Sequence, residues 1–143
     1  MAYDPEDIAR RLYEDLWNKG NFAVAQKLID ERVVDHTPLP TQGAGIEGFK
    51  QLVTMVSSAF PDLHIEVDDV IGKGEKVAVR WTAQGTNTGP LLGMPPSGEH
   101  ITIEGIDFFR LEHGRVIEHW GWLDVIGLMQ QLGVAPHLQV ALQ

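Results

Sequence analysis

One aspartate and one histidine near the end of the chain have the types and spacing needed for proton transfer. Asp107 lies in one alternating apolar run and His119 in the next, with the segment Glu112-His113-Gly114 between them. A three-residue hairpin loop is predicted there, because glycine readily adopts the left-handed conformation that closes such a loop. Counting outward, Leu111 pairs with Arg115 and Asp107 pairs with His119. Their β-carbons are then expected about 5 Å apart on one face of the sheet.

The chemistry expected of this pair is general acid and base catalysis. The carboxylate fixes the tautomer and orientation of the imidazole, whose other nitrogen then takes a proton from a substrate. A positioned base of this kind accelerates a reaction by about 10²–10⁴-fold. The alternative is a buried polar pair that only orders the sheet. The pairing depends on the turn, because a two-residue loop is expected to turn His119 away from Asp107.

Further residues are candidates for the same site. Asp124 stands directly before the last predicted helix, so it is a candidate either for catalysis or for capping that helix. His36 lies in a proline-bounded loop, either over the pocket or as a turn residue. The pocket wall, where the Tyr13 phenol is expected to donate a hydrogen bond, is predicted to include Tyr13, Trp17, Leu52, Trp81 and Phe109.

The composition is that of a globular protein. The chain has 143 residues, 43% of them hydrophobic and 22% charged. One domain spanning 1–143 is predicted, with its core at 5–133 and a poorly ordered tail at 134–143. No apolar stretch approaches the roughly 20 residues of a membrane span, and the first residues lack the features of a signal peptide. The net charge of −9 argues against nucleic acid as a partner.

Residues suited to metal or cofactor chemistry are few. The chain has no cysteine, which excludes disulfides, thiol catalysis and zinc–thiolate sites. The same absence is compatible with the reducing cytoplasm, where we expect the protein to be. The six histidines show no metal-ligand spacing. The segment Gly43–Gly48 matches a dinucleotide-binding pattern literally, but a proline loop precedes it instead of a strand. We therefore expect no metal and no cofactor.

The spacing of the hydrophobic residues predicts three helices first along the chain, then four strands, and a last helix. Helices are predicted at about 5–17, 21–30, 46–59 and 125–132, and strands at about 63–68, 77–84, 100–110 and 115–122. This order predicts an α+β domain, in which an antiparallel sheet of about four strands packs against the N-terminal helices.

The two faces of the predicted sheet differ in character. The inner face is expected to carry Val77, Val79, Trp81, Ile103, Asp107, Phe109, Ile117 and His119. The outer face is expected to carry Ile106, Phe108, Val116, Trp120 and Trp122. Such an aromatic surface predicts a homo-oligomer, a dimer or tetramer, that associates through Phe108, Trp120 and Trp122. The alternative is that the tryptophans are scattered and exposed.

Several short phrases together resemble the SnoaL-like polyketide cyclase family, within the nuclear transport factor 2-like (ketosteroid isomerase-like) fold. These phrases are Trp17–Gly20, Asp35–Pro38, Ala59–Leu63, Arg80–Thr86, Gly93–Gly98, Gly114–Trp120, Asp124 and Gln131–Gly133. The resemblance implies a cone-shaped, strongly curved sheet wrapped around helices, a deep apolar pocket, and oligomers. It also implies intramolecular aldol ring closure without a cofactor.

The resemblance is incomplete at the acid/base pair. In the best-understood members, this pair is a histidine and an aspartate on the last two strands, and those positions fall at Asp107 and Gly121. We hypothesise that His119, one pocket-facing position before Gly121, recreates the pair with its members exchanged across the hairpin.

Two functions follow from the sequence. The first is a cofactor-independent enzyme that removes an acidic proton beside the carbonyl of a small, largely apolar compound, leading to aldol cyclisation, isomerisation or dehydration. The alternative is a non-catalytic module that uses the same pocket to bind a small apolar ligand or the same fold to dimerise.

Overall fold

The computed structural model describes residues 3–134, which form four α-helices, one π-helical segment and five strands. The predicted tail lies outside these residues beyond position 134. In chain order the elements are α1 (Pro5–Arg11), the π-helical segment (Leu12–Trp17), α2 (Phe22–Leu28), β1 (Ile29–Asp35), α3 (Gly45–Ala59), β2 (His64–Lys73), β3 (Lys76–Thr86), β4 (His100–Glu112), β5 (Arg115–Leu123) and α4 (Val125–Gln131).

The five strands form one curved sheet in the order β1-β5-β4-β3-β2, and the α+β class is confirmed. Strands β2 to β5 are an antiparallel meander, whereas β1 runs parallel to β5 at the sheet edge. The prediction of about four strands missed β1. Residues 29–35 read as the end of a helix and the start of a loop. A parallel edge strand has no adjacent turn to mark it, and its partner β5 lies over 80 residues later.

The helices begin where the sequence predicted. The side chain of Asp4 accepts a hydrogen bond from the backbone of Glu6, and Pro5 starts α1. The helix then widens into the π-helical segment, whose last turn is closed by the Asn18 N–H donating to the Tyr13 carbonyl at 2.9 Å. The buried face of these turns includes Ile8, Leu12, Tyr13 and Leu16, which join the core against the sheet.

The hairpin between β4 and β5 closes with two residues, so the predicted three-residue turn is wrong. His113 and Gly114 both have positive φ values, 51° and 78°, as a type I′ turn requires. Glu112 therefore pairs with Arg115. Histidine is among the few residues other than glycine that adopt this conformation with some frequency, which lets the loop close one residue early.

A bulge in β5 then changes the register. Leu111 pairs with Val116, but Arg110 pairs with Glu118, so Ile117 is the extra residue. Val116 is consequently buried on the inner face opposite Leu111, and its predicted place on the outer face is wrong. Ile117, predicted on the inner face, is only partly buried.

The core lies between the inner face of the sheet and the helices, and the outer face remains partly open. Ile106 is 50% exposed and Trp122 is 60% exposed, whereas Phe108 and Trp120 are partly buried against each other. No helix within residues 3–134 is long and apolar enough to cross a membrane.

Candidate active site

A cavity of about 410 Å³ opens between the inner face of the sheet and the helices. Most of its wall is apolar. Of residues 3–134, the ionisable ones on the lining are Tyr13, Asp35, Asp107 and His119, and none of the lining residues is a lysine or arginine. The polar chemistry of the cavity is therefore concentrated in one connected group.

His119 is the centre of that group. Its Nε2 lies 2.8 Å from Oδ1 of Asp107, and its Nδ1 lies 3.1 Å from Oδ1 of Asp35. All three side chains are nearly buried, with 9% of His119, 16% of Asp107 and 8% of Asp35 exposed. Asp107 is thus the carboxylate most open to the cavity.

The contact between Asp107 and His119 arises from a different register than the one predicted. Asp107 is paired with Gly121, and His119 is paired with Phe109, so the two side chains meet diagonally across the strands. A two-residue turn alone would have placed them on opposite faces. The bulge at Ile117 shifts the register by one more residue and returns His119 to the inner face.

Gly121 leaves the space in which this diagonal contact forms. A β-carbon at position 121 would lie 2.5 Å from Oδ1 of Asp107 and 3.0 Å from Cε1 of His119. Any side chain would displace one of the two groups. At the position where the resemblance implies a catalytic aspartate, glycine therefore leaves room for the contact between Asp107 and His119.

Tyr13 extends the group on the other side of Asp107. Its hydroxyl donates a hydrogen bond to Oδ2 of Asp107, from within the π-helical segment. Burial, together with the negative charge of Asp107, raises the pKa of Tyr13 well above its ordinary value. Tyr13 is therefore a phenol at neutral pH and remains a donor.

The geometry favours a doubly protonated imidazole. Each nitrogen of His119 faces a carboxylate oxygen, which only accepts, and only the imidazolium donates from both nitrogens. Burial opposes the charge, but the hydrogen bonds and charges of Asp107 and Asp35 outweigh it and raise the pKa of His119 to about 9. At neutral pH the group thus comprises an imidazolium between two carboxylates.

This protonation state changes the role expected of the histidine. The sequence predicts that one imidazole nitrogen is free to take a proton from substrate. In the structure that nitrogen already donates to Asp35. The group that is placed to accept a proton from a bound molecule is instead the carboxylate of Asp107.

Two phenylalanines hold the imidazole in place. Phe49 of α3 meets the ring edge-on at 5.2 Å between centroids, and Phe109 of β4 lies tilted against it at 5.1 Å. Phe109 also makes an edge contact with Tyr13 at 6.4 Å. This packing helps to bury the ion pairs, and less polar surroundings strengthen them.

Most residues predicted for the pocket lie together on its lining, but Asp124 and His36 lie elsewhere. Trp17, Leu52, Trp81 and Phe109 all line the cavity. The indole nitrogen of Trp81 is buried and has no hydrogen-bond partner among residues 3–134. Asp124 is exposed and caps α4 by accepting a hydrogen bond from the Gly127 N–H at 2.9 Å, which is the alternative role that the sequence offered.

His36 lies on the outer side of the sheet, not over the cavity. Its Nε2 lies 2.8 Å from Oε2 of Glu118, and its ring stacks on Trp120 at 4.4 Å. It is absent from the residues that line the cavity, so the expectation that it overhangs the pocket is wrong. Successive side chains at the end of β1 point to opposite faces of the sheet, so the two residues that flank His36 face the cavity instead.

Those neighbours, Asp35 and Thr37, are the site residues that the sequence argument missed. Both line the cavity, and the Thr37 hydroxyl accepts a hydrogen bond from the Gly121 N–H at 2.7 Å. The signal in the sequence is the segment Asp35–Pro38, whose prolines predict a loop. Recognising 29–35 as a strand would have assigned Asp35 and His36 to opposite faces.

The described residues include no group of three or more histidine, aspartate or glutamate side chains arranged to hold a metal ion. The three charged residues of the cavity are instead paired with one another, so their hydrogen-bonding capacity is largely used within the group.

Comparison with known proteins gives matches over almost the whole chain. A family model described as SnoaL-like polyketide cyclase matches residues 7–132. The chain is 30% identical over 133 residues to the aklanonic acid methyl ester cyclase DauD of Streptomyces sp. (strain C5), covering 89% of this chain and 80% of the relative. It is 29% identical to the aklanonic acid methyl ester cyclase DnrD of Streptomyces peucetius, covering 89% of each.

Solved structures agree with this similarity. TsrD from Streptomyces laurentii superposes with a TM-score of 0.81 at 30% identity, over 90% of this chain and 93% of that chain. Residues 7–132, which the family model matches, include the strands that carry Asp35, Asp107 and His119 and the helical turns that carry Tyr13.

Proposed function

Because this chain belongs to the SnoaL-like polyketide cyclase family, we propose that it catalyses the cofactor-independent aldol cyclisation of a small, apolar polyketide ester. The observation that supports this reaction most strongly is the bridged group Asp35–His119–Asp107–Tyr13 on the wall of an apolar cavity. Its carboxylate, protonated imidazole and phenol support this proposal because they lie together on the wall where we expect a carbonyl compound to bind.

The first step assigns Asp107 as the base. Its carboxylate takes the acidic proton from the carbon beside the substrate carbonyl, so a C–H bond breaks and an O–H bond forms. The electron pair moves onto the carbonyl oxygen as an enolate. Once Asp107 is neutral, it is a weaker acceptor, and the Tyr13 hydroxyl and His119 N–H become available to stabilise the enolate oxygen.

The second step closes the ring. The enolate carbon attacks a second carbonyl carbon of the same molecule, which forms one C–C bond and leaves an alkoxide. The proton held by Asp107 then passes to that oxygen. The product has the mass of the substrate, and the site returns to its starting charge. His119 keeps its proton throughout and acts as an electrostatic stabiliser.

The substrate class is inferred from the wall of the cavity. The lining is apolar and has no lysine or arginine to pair with a free carboxylate, and the site already carries two carboxylates. A neutral ester fits this environment better than an acid, because an unpaired charge is costly to bury. The relatives are cyclases of methyl esters.

The test is direct incubation with a polyketide methyl ester that carries an activated methylene and a ring-forming ketone. We expect a product of unchanged mass with one new tertiary alcohol by NMR. Asp107→Asn should lower kcat by about 10²–10⁴-fold, the usual contribution of a positioned base. A folded wild-type protein that binds the ester with no conversion would instead support the non-catalytic binding module.

We also propose that copies of the chain associate through the outer face of the sheet, where Ile106 and Trp122 are exposed beside Phe108 and Trp120. The single-domain organisation and the cytoplasmic location remain predictions.

A further inference from the structure

We propose that Asp35 is a positioning residue that holds the His119 imidazole protonated and turned toward Asp107, and that it thereby sets the pH range in which the site works. The second half of this inference rests on the proposed function, whereas the first concerns the free protein.

Asp35 reaches His119 through the parallel edge strand. β1 places Asp35 in register with His119 of β5, and the His36 N–H donates to the His119 carbonyl at 2.9 Å. The side-chain contact, 3.1 Å between Oδ1 and Nδ1, is thus fixed by the backbone at both ends. Because β1 supplies Asp35, the site has a second carboxylate in addition to the pair that the β4–β5 hairpin carries.

The carboxylate of Asp35 is itself held in one orientation. Its Oδ2 accepts a hydrogen bond from Nε2 of Gln42 at 2.8 Å, and its Oδ1 accepts one from the Thr37 N–H at 3.1 Å. Burial opposes its charge, but the contacts with His119, Gln42 and Thr37 prevail and lower the pKa of Asp35. Asp35 therefore remains ionised beside the imidazole.

Among the residues that the structure describes, no other ionisable side chain takes this place. From β4, His119 meets Asp107, and the Tyr13 phenol of the π-helical segment reaches it only through Asp107. From α3 it meets Phe49, and from β4 also Phe109, neither of which titrates. Within residues 3–134, Asp35 is thus the group that satisfies Nδ1.

The two carboxylates therefore have different roles: Asp35 keeps His119 charged, and Asp107 transfers the proton. Without the negative charge of Asp35, His119 would be free to lose its Nδ1 proton, and its remaining N–H would still satisfy Asp107. The imidazole would then lose its charge at a lower pH than in the wild type. With Asp35 present, His119 stays charged, and Asp107 carries the proton transfer alone.

The test begins with the wild-type protein. Nitrogen-15 chemical shifts of the labelled imidazole should show both ring nitrogens protonated at pH 7. A neutral His119 at that pH would overturn the inference without the need for any variant.

The variant Asp35→Asn removes the charge and keeps the shape. We expect the pKa of His119 to fall by about one to three pH units, the usual effect of one close opposite charge. The matched control is Asp30→Asn on the same strand, where the carboxylate pairs with Arg32 on the surface, and the His119 titration should not move. An unchanged titration in Asp35→Asn would sink the positioning role.

Measurement of kcat/KM as a function of pH distinguishes this inference from the proposed function. If both hold, the basic limb of the kcat/KM profile of Asp35→Asn should move to lower pH by the same interval as the titration. A titration that moves while the profile does not would contradict the control of pH range by Asp35. Loss of the proposed cyclisation in the wild type would leave the titration result intact.

Discussion

His119 and Asp107 contact each other across β4 and β5 although neither lies opposite the other. Nε2 and Oδ1 are 2.8 Å apart, while the cross-strand partners of the two residues are Phe109 and Gly121. Such a diagonal contact needs an empty position beside it, and Gly121 provides one because it has no side chain.

Gly121→Ala should therefore disrupt the site more than the fold. The new β-carbon would lie 2.5 Å from Oδ1 of Asp107, so the carboxylate must move away from His119. A misplacement of about 1 Å at a reacting group costs on the order of 10²-fold in rate. We expect kcat to fall by at least about tenfold while the circular dichroism spectrum is retained. Wild-type turnover in this variant would argue that the contact is not needed for catalysis.

The ion pairs of His119 should also be visible in the pH dependence of stability. The pKa of His119 rises from its ordinary 6.5 to about 9 on folding. The stabilisation is thus complete below pH 6.5 and is lost as pH rises through about 9. At about 1.4 kcal/mol per pH unit, this interval corresponds to about 3 kcal/mol.

The measurement is urea unfolding of the wild type and His119→Gln between pH 6 and about pH 10. The difference in unfolding free energy should shrink by about 3 kcal/mol across that range. His64→Gln, at an exposed histidine, is the matched control and should show no such trend. A constant difference between wild type and His119→Gln would contradict the imidazolium.

The sequence was informative where structure is local. Asp4 and Pro5 mark the start of a helix, and the alternation around Asp107 and His119 marks two strands of a hairpin. These patterns depend on neighbouring residues, so the inner face of β4 was predicted correctly. The Tyr13 phenol was also placed in the pocket, because its helical face is otherwise apolar.

The features that the sequence did not predict depend on contacts between residues that are far apart along the chain. The bulge at Ile117 changes which residues face inward, and nothing in the segment 115–119 marks it. β1 forms only because β5 pairs with it, so the local sequence predicts a loop at Asp35. Two errors compensated at the centre of the site: the turn is one residue shorter than predicted, and the bulge restored the face of His119.

Tyr13→Phe should reduce turnover without removing the pocket wall. The hydroxyl donates to Oδ2 of Asp107, and a hydrogen bond to a charged group contributes about 1.5–3 kcal/mol. We expect kcat/KM to fall by about 10–100-fold, from steady-state assays. Tyr3→Phe is the matched control, because it removes a 2.6 Å hydrogen bond to the Glu75 carboxylate away from the cavity. Equal losses in the two variants would mean that the Tyr13 hydroxyl has no special role.

Asp124→Asn should distinguish capping from catalysis. Asparagine is as good an N-cap as aspartate, so α4 and the unfolding free energy should be unchanged within about 0.5 kcal/mol. Turnover should be unchanged as well, since Asp124 is not on the cavity wall. Asp124→Ala should cost about 1 kcal/mol of stability. Loss of turnover in the stable asparagine variant would return Asp124 to the list of catalytic candidates.

The outer face of the sheet should be the surface through which copies associate. Ile106 is 50% exposed there, and a lysine at this position would place like charges close together across a two-fold interface. We expect light scattering to give an oligomer for the wild type and a monomer for Ile106→Lys. The matched control is Ile126→Lys on α4, where the isoleucine is 44% exposed, and the oligomer should persist. A monomeric wild type, or equal dissociation in both variants, would place the interface elsewhere or remove it.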